Sequence, residues 1–167
     1  MDTLLASWQR RCSASGLLRF VDFNLRGVAQ VMFQNHPLTG ALFLAAIGWG
    51  SYAGGAPAVF FGGLLGLVAA TLTAMWLRVD ADGLADGLYG YNGVLVGLAL
   101  PTFLAPSPLL WVYVAFGGAV SVVVTLAISN AFKTWGVSAL TAPFVLTALL
   151  MLLAANAFAG FAISALP

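Results

Sequence analysis

Few side chains in this 167-residue chain have the chemistry to act on anything. Of five Asp+Glu, six Lys+Arg and one His, only Asp86 falls inside the long apolar segments. His36 stands beside Pro37 at the edge of one, where a solvated or structural histidine is expected. A proton relay needs a string of ionisable groups at membrane depth, and a cation site needs clustered carboxylates; the sequence offers neither. A hydrolase needs a nucleophile with a base or a metal, and no such set occurs. Cys12 is the single cysteine, so neither a disulfide framework nor a Cys/His metal spacing is possible. The chain is therefore expected to carry no metal, to need no cofactor and to be no enzyme.

What remains is hydrogen-bonding chemistry. Gln30, Gln34, Asn35, Asn92, Thr125, Asn130, Thr141 and Asn156 sit among apolar neighbours, and each is costly to bury unless paired. For Thr125, Asn130 and Asn156 the expected partner is their own helix or an adjacent one. Such groups can orient a neutral solute but cannot drive it. Any solute that crosses is expected to be neutral and its flow passive.

The elements that position these groups follow from composition. Residues of the set AVILMFWYC make up 62% of the chain and charged residues only 7%, against roughly 45–50% and about 25% in soluble domains. Too few charges are present to solvate a globule of this size, which excludes a soluble enzyme or a disordered protein. A net charge of +1 offers no polyanion-binding surface, so no nucleic-acid partner is expected. The fold class expected is an all-α membrane protein whose main partner is the lipid bilayer.

Residues 1–16 are polar and basic. The segment 17–35 is interrupted by Arg19, Asp22, Asn24 and Arg26, unlike the unbroken apolar run of a signal peptide. Leu18, Val21, Leu25, Val28 and Met32 share a helical face, while Asp22, Arg26 and Gln30 lie four apart on another. Either an interfacial helix or a tilted half-helix dipping in behind protein fits this pattern. Candidate spans follow at 38–53, 57–77, 84–104, 109–130 and 138–161, separated by glycine, proline and charged residues.

With five crossings, Arg10, Arg11, Arg19, Arg26, Arg78 and Lys133 all fall on one face and none on the other. The positive-inside rule then puts the N-terminus in the cytoplasm and the C-terminus outside. An odd number of crossings means that a following similar unit would insert upside down, giving an inverted repeat.

Two stretches carry further detail. Gly83 and Gly87, and Gly93 and Gly97, are each four apart, a spacing that lets helix backbones approach closely. Tyr91 and Leu95 share a face, with Asn92 beside them. Pro143 lies in an apolar run and is expected to free backbone acceptors near Ala139. Phe43, Phe60, Phe61 and Phe158 are expected as core filler.

The runs LRGVAQVMFQNHPLTGALFL (25–44), GLYGYNGVLVGLALP (87–101) and ALTAPFVLTALLM (139–151) resemble the urea transporter family. Their order and spacing are similar to those of the first half of such a protein. The resemblance implies a channel of two inverted halves, each with a tilted half-membrane helix and five spans, assembled as a homotrimer with a pore through every protomer. It implies residues 17–35 as the half-membrane pore helix and 38–161 as the five-helix unit, after a cytoplasmic segment 1–16. It also implies a flat slot of aromatic rings edged by backbone carbonyls. Gln30 matches the pore-helix Gln/Glu position, Phe33 and Tyr91 match slot aromatics, Leu95 an apolar residue beside the slot, and Thr141 a hydroxyl at the constriction. Tyr91 departs from the usual phenylalanine.

The second half is missing, so this chain is expected to supply half of the filter. A fragment, or a half with a separate inverted partner, is expected over a dual-topology homodimer, because the cation bias is six to none. The expected activity is passive passage of urea across the cell (inner or plasma) membrane. Alternatives are a channel for ammonia, water or short amides, and a non-conducting membrane assembly subunit.

Overall fold

The structure, a computed structural model of the chain, describes residues 2–157 and 160–164. They form the helices α1 (Asp2–Ala14), α2 (Gly16–Gln30), α3 (Pro37–Ala53), α4 (Pro57–Trp76), α5 (Ala81–Ala85), α6 (Tyr91–Phe103), α7 (Pro108–Phe132) and α8 (Ala142–Ala157). A 3-10 turn, Lys133–Trp135, extends α7. No strand occurs among the described residues, only an isolated bridge between Leu104 and Ile163. Phe158 and the rest of 158–159, in the last candidate span, lie outside the described residues, as do residues 165–167 at the C-terminus.

Local chemistry explains the boundaries. Ser15 and Ser107 cap α2 and α7 by accepting the N–H groups of Leu18 and Leu110. His36 caps α3 through Nδ1, which accepts from Leu38 N–H at 3.2 Å. Pro37, Pro57 and Pro108 open their helices, where a missing N–H costs nothing. Gly136, at φ 65, ends the α7 extension in the left-handed region.

The core has three parts. Val96, Leu100, Leu110, Val114 and Met151 join α6, α7 and α8. Val28, Leu67 and Val94 join α2, α4 and α6, and Ala70, Ala74 and Val122 join α4 to α7. The tightest approach is between α4 and α6. A Cβ added at Gly97 would lie 2.2 Å from the Gly62 carbonyl, and one at Gly62 would lie 2.4 Å from the Gly97 carbonyl. Gly93 faces Gly66 and Ala70 in the same way. Pro101 sits inside α6. It has no N–H for the Gly97 carbonyl, which instead looks onto the Gly62 backbone.

Two helical stretches, Pro57–Trp76 and Pro108–Trp135, are long and apolar enough to cross a bilayer. Their outer faces, with those of α3 and α8, carry exposed apolar residues such as Trp49, Trp76, Phe116, Leu150 and Leu153, a surface suited to lipid or to neighbouring helices. Phe60 and Phe61 lie edge to face with one another, but Phe61 is exposed on the outer surface and is not the core filler expected of it.

Three further sequence expectations need correcting. The candidate span 84–104 is not one helix, since α6 starts only at Tyr91. Before it come α5, capped by Asp80 through Gly83 N–H, and a turn in which Gly87 adopts φ 76. The nearest atoms to a Cβ added at Gly83 would be those of the Asp80 carboxylate and the Tyr89 ring, not another helix backbone. Gly87 does meet a helix, but from this turn: a Cβ there would strike the backbone of Arg26 and Gly27 of α2. Finally, Pro143 stands in the first turn of α8, not inside it, and the Ala139 carbonyl accepts from Ala142 N–H at 3.1 Å.

Candidate functional site

A cleft of about 370 Å³ opens between the end of α2, the start of α6, the end of α7 and the segment before α8. Gln30, Phe33 and Tyr91, from distant stretches of sequence, line it together. Leu140, Lys133 and Tyr89 are also in its walls.

Phe33 owes its position to the way α2 ends. The N–H of Phe33 donates to the Gln30 carbonyl at 2.9 Å and that of Gln34 to the Ala29 carbonyl at 3.1 Å. These two bonds form a helix C-terminal motif whose left-handed residue is usually glycine. Here it is Phe33, at φ 55. Left-handed backbone costs a residue with a Cβ about 1–2 kcal/mol, and the ring, 66% exposed, recovers little by packing. Phe33 thus holds a left-handed backbone with little packing in return.

Gln30 donates through Nε2 to the Asp86 carbonyl at 2.9 Å. Its Oε1 has no donor among the described residues, so it is an acceptor on the cleft wall. Asp86, the only ionisable group in the apolar segments, serves to tie elements together. Its carboxylate accepts from Asn35 Nδ2 at 2.6 Å. Asn35 Oδ1 accepts from Arg26 at 2.6 Å, Arg26 pairs with Asp22 at 2.8 Å, and Trp8 donates to Asp22 at 2.6 Å. This network links α1, α2 and the α5 turn, and fixes the chain on either side of Phe33.

Across the cleft, Leu140 is also left-handed, at φ 46. Its carbonyl accepts from the Tyr91 hydroxyl and, at 3.4 Å, from Asn92 Nδ2. Asn92, fully buried, also donates to Thr125 Oγ1 at 3.2 Å and accepts Phe144 N–H at 3.2 Å. Thr125 in turn donates to the Ser121 carbonyl at 2.7 Å, the bond to its own helix expected of it.

The mouth is braced by Asp80, whose carboxylate accepts from the Tyr89 hydroxyl and from Gly83 N–H at 2.7 Å. The Tyr89 hydrogen bond and then the Gly83 bond hold the Asp80 carboxyl below the usual range for Asp. Lys133 is the one charged residue lining the cleft among those described.

The other two candidates lie nearby but off the lining. Leu95 packs with Val28, Leu67 and Val94. Thr141 follows the Leu140 wall directly, and its hydroxyl has no protein partner among the described residues. No ring contact joins Phe33 to Tyr91 among the described residues; the aromatic pairs are elsewhere, as between Tyr113 and Phe161. Leu140 and Lys133 were not legible as site residues, because a backbone conformation and a loop closure bring them to the cleft.

Apolar helices long enough to span, lipid-suited outer faces and a small, mostly apolar cleft carrying a few hydrogen-bonding groups and Lys133 define a helical membrane protein. Comparison with known proteins says which kind: residues 21–167 match the family model for urea transporters, and the chain belongs to that family. It is 33% identical over 135 residues to urea transporter 1 of Rattus norvegicus, which covers 77% of this chain and 33% of the relative. It is 30% identical over 147 residues to urea transporter 1 of Ovis aries, covering 86% and 37%. The chain thus spans about a third of the length of the curated relatives it matches. The family is one of transporters, not enzymes.

Proposed function

We propose that the cleft is part of a passive, channel-type path for urea, and that Phe33 and Tyr91 form aromatic walls of its slot. The observation that carries this is the meeting of Gln30, Phe33 and Tyr91 in one recess of a chain from the urea transporter family. Urea is flat and neutral, with a carbonyl and two NH₂ groups. It needs acceptors along the edges of a slot to replace lost water. Gln30 Oε1 and the Thr141 hydroxyl supply hydrogen-bonding partners, and Leu95 backs the slot from behind. An ion gains nothing comparable, because stripping water from an unpaired charge costs far more than stripping it from an amide.

On this reading α2 is the tilted pore helix of the segment 17–35, and 38–161 is a five-crossing unit in the cell membrane. The N-terminus with its cations lies in the cytoplasm, and the chain's other end lies outside. A second, inverted half completes the filter, and three protomers assemble. Paired halves of this kind are the expected consequence of an odd crossing number.

The test is urea uptake into vesicles holding the protein as the cell makes it, followed by light scattering. Uptake should exceed that of empty vesicles and ignore an imposed membrane potential or proton gradient. Phe33→Ala and Thr141→Val should each slow it. Unchanged urea flux in both variants, or flux that collapses with the potential, would overturn the reading.

A further inference from the structure

Leu140 lines the cleft on a backbone of φ 46, with its carbonyl turned to α6. A carbonyl oxygen has two lone pairs. Here the Tyr91 hydroxyl and the Asn92 amide donate to it, and nothing is left to receive a solute N–H. Asn92 cannot turn away, because Thr125 of α7 and the Phe144 N–H of α8 hold the other parts of its amide. The Tyr91 hydroxyl has committed its only proton to that carbonyl, so its oxygen can accept but not donate.

We propose that Tyr91, with Asn92 as its positioning residue, sets the solute specificity of this cleft by replacing the Leu140 carbonyl with a phenol oxygen as the acceptor on that wall. The proposal rests on the cleft being the solute path. A wall of this kind takes the N–H edge of a flat amide and rejects an edge that carries a methyl group. It also fails to donate to a solute carbonyl, so it discriminates against solutes that only accept. Replacing the phenol by a phenyl ring takes away the oxygen that a methyl would strike. It also frees one lone pair of the Leu140 carbonyl.

The experiment compares uptake of urea and 1,3-dimethylurea into vesicles containing the intact protein, for the native sequence, Tyr91→Phe and Asn92→Asp. Asn92→Asp keeps an acceptor for Phe144 N–H and loses the donor to Leu140. Tyr91→Phe should raise the dimethylurea-to-urea ratio by roughly tenfold, the scale on which a pocket separates solutes one methyl group apart. Asn92→Asp should raise it less, in the same direction. If the native protein takes up urea and the ratio stays fixed in both variants, the proposal is overturned while the transport reading stands. A parallel fall for both solutes means a merely structural role and also overturns it. Native uptake no faster than in empty vesicles removes the transport reading, and this proposal with it.

Discussion

Asn92 Oδ1 accepts the Phe144 N–H at 3.2 Å, so a side chain of α6 caps the first turn of α8. The first N–H groups of a helix have no partner within it. The residues before α8 are occupied with the cleft wall, and the cap comes from a neighbour. We predict that Asn92→Ala, which leaves the Phe144 N–H without its partner and removes one donor each from Thr125 and Leu140, costs about 1–3 kcal/mol. Amide exchange at Phe144 should quicken in parallel, and less so in Asn92→Asp. Thermal unfolding in detergent checks the first claim; a midpoint unmoved by Asn92→Ala would contradict it.

A second prediction concerns strain. Phe33 occupies a left-handed position that glycine fills without penalty, and its ring is largely exposed. Phe33→Gly should therefore leave stability unchanged or raise it by up to ~1 kcal/mol, the relief being partly offset by a freer unfolded chain. Urea uptake should fall in the same variant. A fall in both quantities would mean that the ring is packing, and the strain incidental.

Sequence patterning carried much of this arrangement, for identifiable reasons. The glycine spacing at Gly93 and Gly97 signals a close helix approach because only a missing Cβ allows it, and α4 indeed lies there. The same spacing misleads at Gly83, because Asp80 caps a separate short helix and ends the helical register before Tyr91, while Gly87 makes its close approach to α2 from a turn. Gln30, Phe33 and Tyr91 were accessible through family resemblance. Leu140 was not, since neither its side chain nor its spacing reports the conformation that turns its carbonyl to Tyr91 and Asn92. Lys133 appeared only as a cation in a connection, and chain closure carries it to the cleft.

The third prediction is a pH dependence. The Asp80 carboxyl is held below its ordinary range, first by the Tyr89 hydroxyl and then by Gly83 N–H. A folded-state pKa below the unfolded one contributes stability that is complete above the ordinary Asp range. That contribution is lost as pH falls through the depressed value. Stability of the native protein should therefore decline on acidification through that window, and the difference from Asp80→Asn should shrink with it. Unfolding midpoints across an acid series test this. A constant gap between the two proteins would show that Asp80 does not act through its charge.

Lys133 supports the last prediction. Guanidinium is as flat and as trigonal as urea and carries the same kind of N–H edges, so an uncharged slot separates them only by desolvation. A lysine on the wall adds repulsion. Two unit charges ~8 Å apart at an effective dielectric of ~40 repel by about 1 kcal/mol, a factor of about five. Lys133→Gln should raise guanidinium uptake relative to urea by about that factor and leave urea itself nearly unaffected. The effect should shrink as salt screens the charge. Asp80, whose carboxyl feels the Lys133 charge, lies close enough to soften the repulsion, so Asp80→Asn should act in the opposite sense and lower guanidinium uptake. A guanidinium-to-urea ratio unmoved by Lys133→Gln at low salt would strip the lysine of any part in selection.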